Sequence, residues 1–324
     1  MVVSPDVLQS VRGKPYWNYI FVAVSVLVPI LFGFVVKRLT GDPDRGSSAT
    51  ISLILCFYVY RLVHTWLGWN KIGFLSLSLG AQFFLRGAVI SILMAMTLEL
   101  MGMSYLKPRQ VEWKDAPIAL IVGFSEEVSK LFVLVTGLVV IPRDLPEQLV
   151  LQPRADDRFT SCVRWWTTLV DSPKALAMAG IAAGFGFMTS ENIEYFMLVF
   201  TSSDVEEAWP LVVFRVFLNL HPMLTGLAAA RLAKELFLPG QIKNVTIGRL
   251  ARAIAPSVVM HALFDFGLMF SATNPEETSL DEIFVGISIF LIPVNLIALI
   301  LTYRSLPDVN PQPLLVRNEI VTQV

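Results

Sequence analysis

The stretch APIALIVGFSEEVSKLFVLVTGLVVI, residues 116–141, decides the fold class. It exceeds the ~20 residues that a helix needs to cross a bilayer. Three residues near its middle, Glu126, Glu127 and Lys130, are nevertheless charged. An ionisable group at the bilayer centre costs at least ~2.5–3.5 kcal/mol on insertion scales and is rarely kept without a task. The stretch therefore reads as a membrane-spanning helix whose charged face turns inward. Comparable runs recur near 18–36, 50–69, 79–102, 173–200, 209–237, 247–270 and 283–303. The 324 residues are 55% hydrophobic and only 16% charged, with a mean hydropathy of +0.64. A soluble domain carries about 25% charged residues. The expected fold is an all-α integral membrane protein, a polytopic bundle of about eight transmembrane helices.

The chain divides into an N-terminal three-helix membrane segment (1–115), a four-helix core (116–270), and a last transmembrane helix with a polar C-terminal tail (271–324). The net charge of −1 gives no electrostatic argument for nucleic acid. Cys56 falls in a span and Cys162 in a long loop, so no disulfide and no zinc-binding cysteine cluster is expected. The first apolar run ends at Lys37-Arg38 without a small-residue cleavage pattern and is expected to be a retained helix. The 200–209 and 271–282 connections carry only acidic charges, whereas 142–172 and 231–252 are rich in basic ones. The positive-inside rule places the basic connections and the C-terminus in the cytosol. Lys37, Arg38, Lys107, Arg109 and Lys114 then face outward, against the stronger bias downstream. The sequon at Asn244 falls on the cytosolic side of this scheme.

The polar residues of 116–270 share a pattern. Adjacent helical residues point ~100° apart, so Glu126 and Glu127 cannot share one direction. Lys130 stands i+4 and i+3 from them, within reach of either. A buried ion pair that only fixes packing is the bland alternative, and the second carboxylate argues against it. Phe187, Glu191 and Tyr195 form one stripe beside Gly180 and Gly184, a spacing that admits a close neighbouring helix. Asn192 and Glu194 add polarity beyond what packing requires. His221 precedes Pro222, whose ring is expected to free the Leu218 carbonyl. His261 and Asp265 stand i and i+4 on a face shared with Ser257, so Asp265 is placed to orient the imidazole. His64 beside Arg61 has no acidic neighbour at helical spacing and reads as a packed core residue. Four carboxylates against Lys130, with Arg215 as a second positive charge, call for protons or a metal cation.

These residues resemble the PrsW family of intramembrane proteases. Glu126-Glu127-Val128-Ser129-Lys130 is similar to its Glu-Glu-x-x-Lys motif. Phe187, Glu191 and Tyr195 are similar to Phe-x-x-x-Glu-x-x-x-Tyr, His221-Pro222 to a third position, and His261 to Asp265 to His-x-x-x-Asn/Asp. The motifs run in the family order through about half of the chain. The wider superfamily of prenyl-protein CAAX endopeptidases and bacterial CPBP proteins shows Glu-Glu-x-x-x-Arg, and a His where this chain has Glu191; that departure argues against a prenylated substrate. The resemblance implies a membrane-embedded glutamyl-type endopeptidase that cleaves membrane-protein substrates in the lipid bilayer with activated water.

In that reading the catalytic residues are Glu126, Glu127, Glu191, His221, His261 and Asp265, supported by Lys130, Asn192 and Tyr195. Glu126 is the general base, held or tuned by Glu127 with Lys130. His261, oriented by Asp265, and His221 stabilise the oxyanion. No resident cofactor is expected, because no His-Glu-x-x-His run is present. If zinc is bound, its ligands are His221, His261 and Glu191. The alternatives are a proton-coupled transporter, which usually shows internal repeats not found here, and a non-catalytic scaffold, expected to have lost a carboxylate.

Overall fold

The computed structural model describes residues 16–69, 75–106, 115–136, 138–140, 168–170, 172–238, 241–242, 246–273 and 278–307. Cys162, Trp165-Trp166, most of the 142–172 connection, Lys107, Arg109, Lys114, Asn244 and the side chains of the acidic 271–282 connection lie outside the described residues.

Helices stand at every predicted span: α1 (Tyr16–Thr40), α2 (Pro43–Trp69), α3 (Leu77–Arg86) continued through a π-helical turn (Gly87–Ser91) into α4 (Ile92–Leu106), α5 (Asp115–Val135), α6 (Pro173–Ser202), α7 (Val205–Phe217), α8 (Leu220–Leu236), α9 (Ile247–Thr273) and α10 (Thr278–Arg304). Strands among the described residues are confined to two short pairs. β1 (Leu138–Val140) runs parallel to β2 (Thr168–Val170), and β3 (Phe237–Leu238) is antiparallel to β4 (Gln241–Ile242). Among the described residues, six helical segments are long and apolar enough to cross a membrane. α5 and α6, with 21 and 30 residues, have the length, and they carry the charged side chains that lower their hydropathy. Leu31, Leu93, Leu100 and Phe290 are each at least 60% exposed, as lipid-facing side chains of a multi-pass membrane protein are.

Two predicted spans differ in detail. The 116–141 run stops being helical at Val135, and 138–140 is extended. The 209–237 run is two helices, broken at Leu218-Asn219. Asn219 caps the second, its Oδ1 accepting from the His221 backbone N–H at 2.9 Å. Pro222 therefore lies in the first turn of α8, where proline is tolerated, and does not free a carbonyl inside a continuous helix.

α6 is the buried centre of the bundle, and small residues let its neighbours approach. A Cβ at Gly184 would stand 2.7 Å from both the carbonyl oxygen of His221 and Cα of Pro222. Gly180 meets the backbone of Thr225 one turn further along the same contact. On the other side of the site, a Cβ at Gly123 would stand 2.9 Å from the backbone nitrogen of Ala262, so α5 lies directly on α9. These contacts bring the polar faces of α5, α6, α8 and α9 together.

Candidate functional site

α5 contributes Glu126, Glu127 and Lys130, all buried, with Lys130 0% exposed. Lys130 Nζ lies 2.6 Å from Glu127 Oε1 and 3.4 Å from Glu126 Oε2, so the one ammonium serves both carboxylates. It also stands 3.0 Å from His221 Nδ1 and 4.4 Å from the centroid of the Phe187 ring. The phenyl ring of Phe187 thus closes the site on the α6 side, against both the ammonium and His221.

With each imidazole neutral, the contacts select one tautomer. Glu191 Oε2 accepts from His221 Nε2 at 2.6 Å, which leaves Nδ1 as an acceptor facing Lys130 and, at 3.5 Å, Glu126 Oε2. Glu127 Oε1 accepts from His261 Nδ1 at 3.0 Å, which leaves Nε2 facing Glu126 Oε2 and Asp265 Oδ2, each at 3.5 Å. Each histidine is anchored through one nitrogen to a carboxylate and turns the other inward. The two rings stand edge to face with centroids 5.1 Å apart. Glu126 Oε2 is the point on which both converge.

The contacts differ from the expected ones at two points. Glu127 is the hydrogen-bond partner of His261, whereas Asp265 sits beside the inward nitrogen, 17% exposed. Glu191 stands behind His221 on the far side of the ring from Glu126. Among the described residues, the group whose donor atoms all lie within 4.8 Å of one another is Glu126, His221 and His261, with Glu126 in the place expected for Glu191. Ser257 is used in packing, its Oγ donating to the Leu224 carbonyl at 2.9 Å. Glu194 is exposed and turns away. His64, with Tyr60 and Gly80, belongs to the packing of α2 on α3.

Asn192 and Tyr195 meet Arg215 of α7. Its Nη2 lies 2.7 Å from Glu191 Oε2, its Nε donates to Asn192 Oδ1 at 2.7 Å, and its guanidinium carbon stands 3.5 Å from the Tyr195 ring centroid. Sequence reading counted Arg215 only as a second positive charge. It did not single out Glu99 on α4, half-buried and within electrostatic reach of Glu191, Asp265, His261 and Lys130. The signal was available, since Glu99 is an acidic residue in an apolar span.

The residues fit a zinc-type cation. Two imidazoles and a carboxylate converge with inward lone pairs, and a carboxylate backs each histidine, the arrangement that fixes metal-ligating rings. Glu127 Oε2 and Asp265 Oδ2 are buried without a hydrogen-bond partner, so acceptor capacity remains. Lys130 would turn fully to Glu127, with which it already makes its shortest contact. Among the described residues two fixed cations, Lys130 and Arg215, face the carboxylates of Glu126, Glu127, Glu191 and Asp265, a balance that a divalent ion or bound protons improve.

A family model described as PrsW family intramembrane metalloprotease matches residues 76–298. No curated protein and no solved structure matches the chain.

Proposed function

Because the chain belongs to the PrsW family of intramembrane proteases, we propose that it hydrolyses a peptide bond of a membrane-protein substrate with water activated at Glu126. The observation that carries this reading is the convergence on Glu126 Oε2 of His221 Nδ1 and His261 Nε2, each at 3.5 Å. The protein is a membrane-embedded peptidase, and its family membership weighs against the transporter and scaffold readings.

In this proposal Glu126 Oε2 takes the proton of the attacking water and later returns it to the leaving amine, the role of a general acid–base group. Glu127 stays ionised between Lys130 and His261 and keeps the His261 Nδ1 proton in place. His221 is held by Glu191 with its Nδ1 facing the reacting space. The Lys130 ammonium supplies positive potential where an oxyanion develops, and a preorganised donor of this kind contributes several kcal/mol in a dry site. Asp265 Oδ2, next to His261 Nε2, is a second acceptor for the proton. Phe187 keeps bulk water from the α6 side. A zinc-type ion, as the family description implies, would be held by Glu126, His221 and His261 and would acidify water and polarise the scissile carbonyl, with Asp265 rather than the ligated Glu126 then accepting the proton.

The test uses the purified full chain in proteoliposomes, with a substrate identified as the membrane protein that accumulates uncut in cells lacking the chain. Glu126→Gln should insert and accumulate but not cleave. Cleavage at the wild-type rate by purified Glu126→Gln would sink the assignment. Activity that survives complete removal of metal would overturn the zinc part and leave the role of Glu126 standing.

A further inference from the structure

We propose that Arg215 is a positioning residue for hydrolysis, acting through Glu191 on His221; the inference rests on the hydrolytic reading above. The guanidinium is gripped by three residues of α6. Glu191 Oε2 lies 2.7 Å from Nη2, Asn192 Oδ1 accepts from Nε at 2.7 Å, and the Tyr195 ring lies beneath the plane. Asn192 is itself fixed, since its Nδ2 donates to Cys56 Sγ of α2 at 3.4 Å. A planar fork engaged on two edges and one face is a demand that lysine, a point charge on a flexible stem, does not meet.

Arg215 and His221 share one atom. Glu191 Oε2 accepts from Arg215 Nη2 and from His221 Nε2, the latter at 2.6 Å. Glu191 lies on the more open side of the site, at 16% exposure against 7% for His221. Without the guanidinium, its carboxylate is free to rotate toward that opening. His221 then loses the acceptor that aims its Nδ1 at Glu126. Arg215 touches none of the three converging donor atoms, so its effect passes through Glu191.

Placement adds a second strand to the argument. Arg215 sits on α7, on the other side of the break at Leu218-Asn219 from His221. α7 buries only Ala208, Val212 and Val216 and exposes Val213 and Phe217, which marks a peripheral helix. Among the described residues, Arg215 supplies the side-chain polar contacts that join α7 to α6. Displacement of α7 by a lipid or a substrate helix reaches the His221 ring through this side chain, beside the backbone route of the Leu218-Asn219 link and the packing of Phe214 on Leu220 and Leu224.

The test is a double-mutant cycle on the full chain in proteoliposomes, with Arg215→Met, Arg215→Lys, Glu191→Gln and the double variants. Arg215→Met should lower kcat about 10–100-fold, the usual size for a residue backing a ligand or catalytic group, with KM within about twofold. Arg215→Lys should recover part of the loss. Arg215→Met/Glu191→Gln should be no slower than Glu191→Gln, because both changes cut one chain of contacts. Multiplying losses, a wild-type kcat in Arg215→Met, or a loss confined to KM would overturn the inference. If Arg215→Met does not accumulate, the Arg215→Lys/Glu191→Gln cycle decides by the same criterion. Full cleavage by both Glu191→Gln and Glu126→Gln would instead overturn the hydrolytic reading.

Discussion

Replacing Gly184 by alanine tests whether the helix contact that builds the site also sets its activity. The new Cβ would stand 2.7 Å from the His221 carbonyl oxygen and from Cα of Pro222, both backbone atoms that cannot swing aside. Ordinary contact begins near 3.4 Å, so the start of α8 must retreat by about 0.7 Å. Overpacking of this size costs about 1–3 kcal/mol, offset by up to about 1 kcal/mol from the better helix propensity of alanine. The variant should therefore fold and accumulate. The retreat moves His221 away from Glu191 and Lys130, which hold it at 2.6 and 3.0 Å. A misplacement approaching 1 Å can cost about 100-fold in rate. Cleavage by equal amounts of purified Gly184→Ala should thus fall about 100-fold, while its thermal midpoint in detergent shifts only by a few degrees. Gly286→Ala, which meets nothing within 4 Å, serves as the control and should match wild type. A fully active Gly184→Ala would refute the claim that the α6–α8 contact sets the geometry of His221.

In the same cleavage assay, Glu126→Gln should lose at least ~100-fold in rate, whereas His64→Gln, away from the site, should remain active. Elemental analysis of the active protein should find about one zinc per chain, absent from His261→Ala and bound roughly 10–100-fold more weakly by Glu127→Gln; metal-free protein of full activity would contradict this. The Asn244 sequon should remain unmodified in a glycosylating cell, and a sequon moved into 274–277 should carry a glycan; a glycan on native Asn244 would invert the membrane orientation of the second half.

The helices and the site were legible for one physical reason: ionisable residues inside apolar runs are costly, and Glu126, Glu127, Lys130, Glu191, His221, His261 and Asp265 all stand out against their surroundings. Helical spacing predicted that Lys130 is within reach of either glutamate, not that one ammonium serves both, and that Gly180 and Gly184 admit a neighbour. It did not say which neighbour, because pairing between helices is a property of tertiary packing. The same limit explains the exchange of partners at His261. Asp265 is four residues away on its own helix, but Glu127 reaches the ring from another helix at hydrogen-bonding distance. The break at Leu218-Asn219 was hidden because the run stays apolar across it, and a single asparagine cap weighs little against that. The expectation of no resident cofactor rested on the missing contiguous zinc run, a criterion that does not weigh a group such as Glu126, His221 and His261, gathered from α5, α8 and α9.

The burial of Lys130 and Glu127 also constrains how the protein is made. Lys130 meets His221 across 91 residues of sequence, and Glu127 meets His261 across 134. A ribosome therefore delivers α5 to the membrane well before either partner has been translated. During that interval Glu126, Glu127 and Lys130 have only one another, at i+3 and i+4, and one carboxylate is left without a counter-charge in lipid. Stable lodging of α5 has to wait for the later helices, at the bilayer surface or beside the insertion machinery. A nascent chain stopped before α9 leaves Glu127 without the His261 Nδ1–H from which it accepts, so the hydrogen bonding of the site closes only with the last of the four helices that build it.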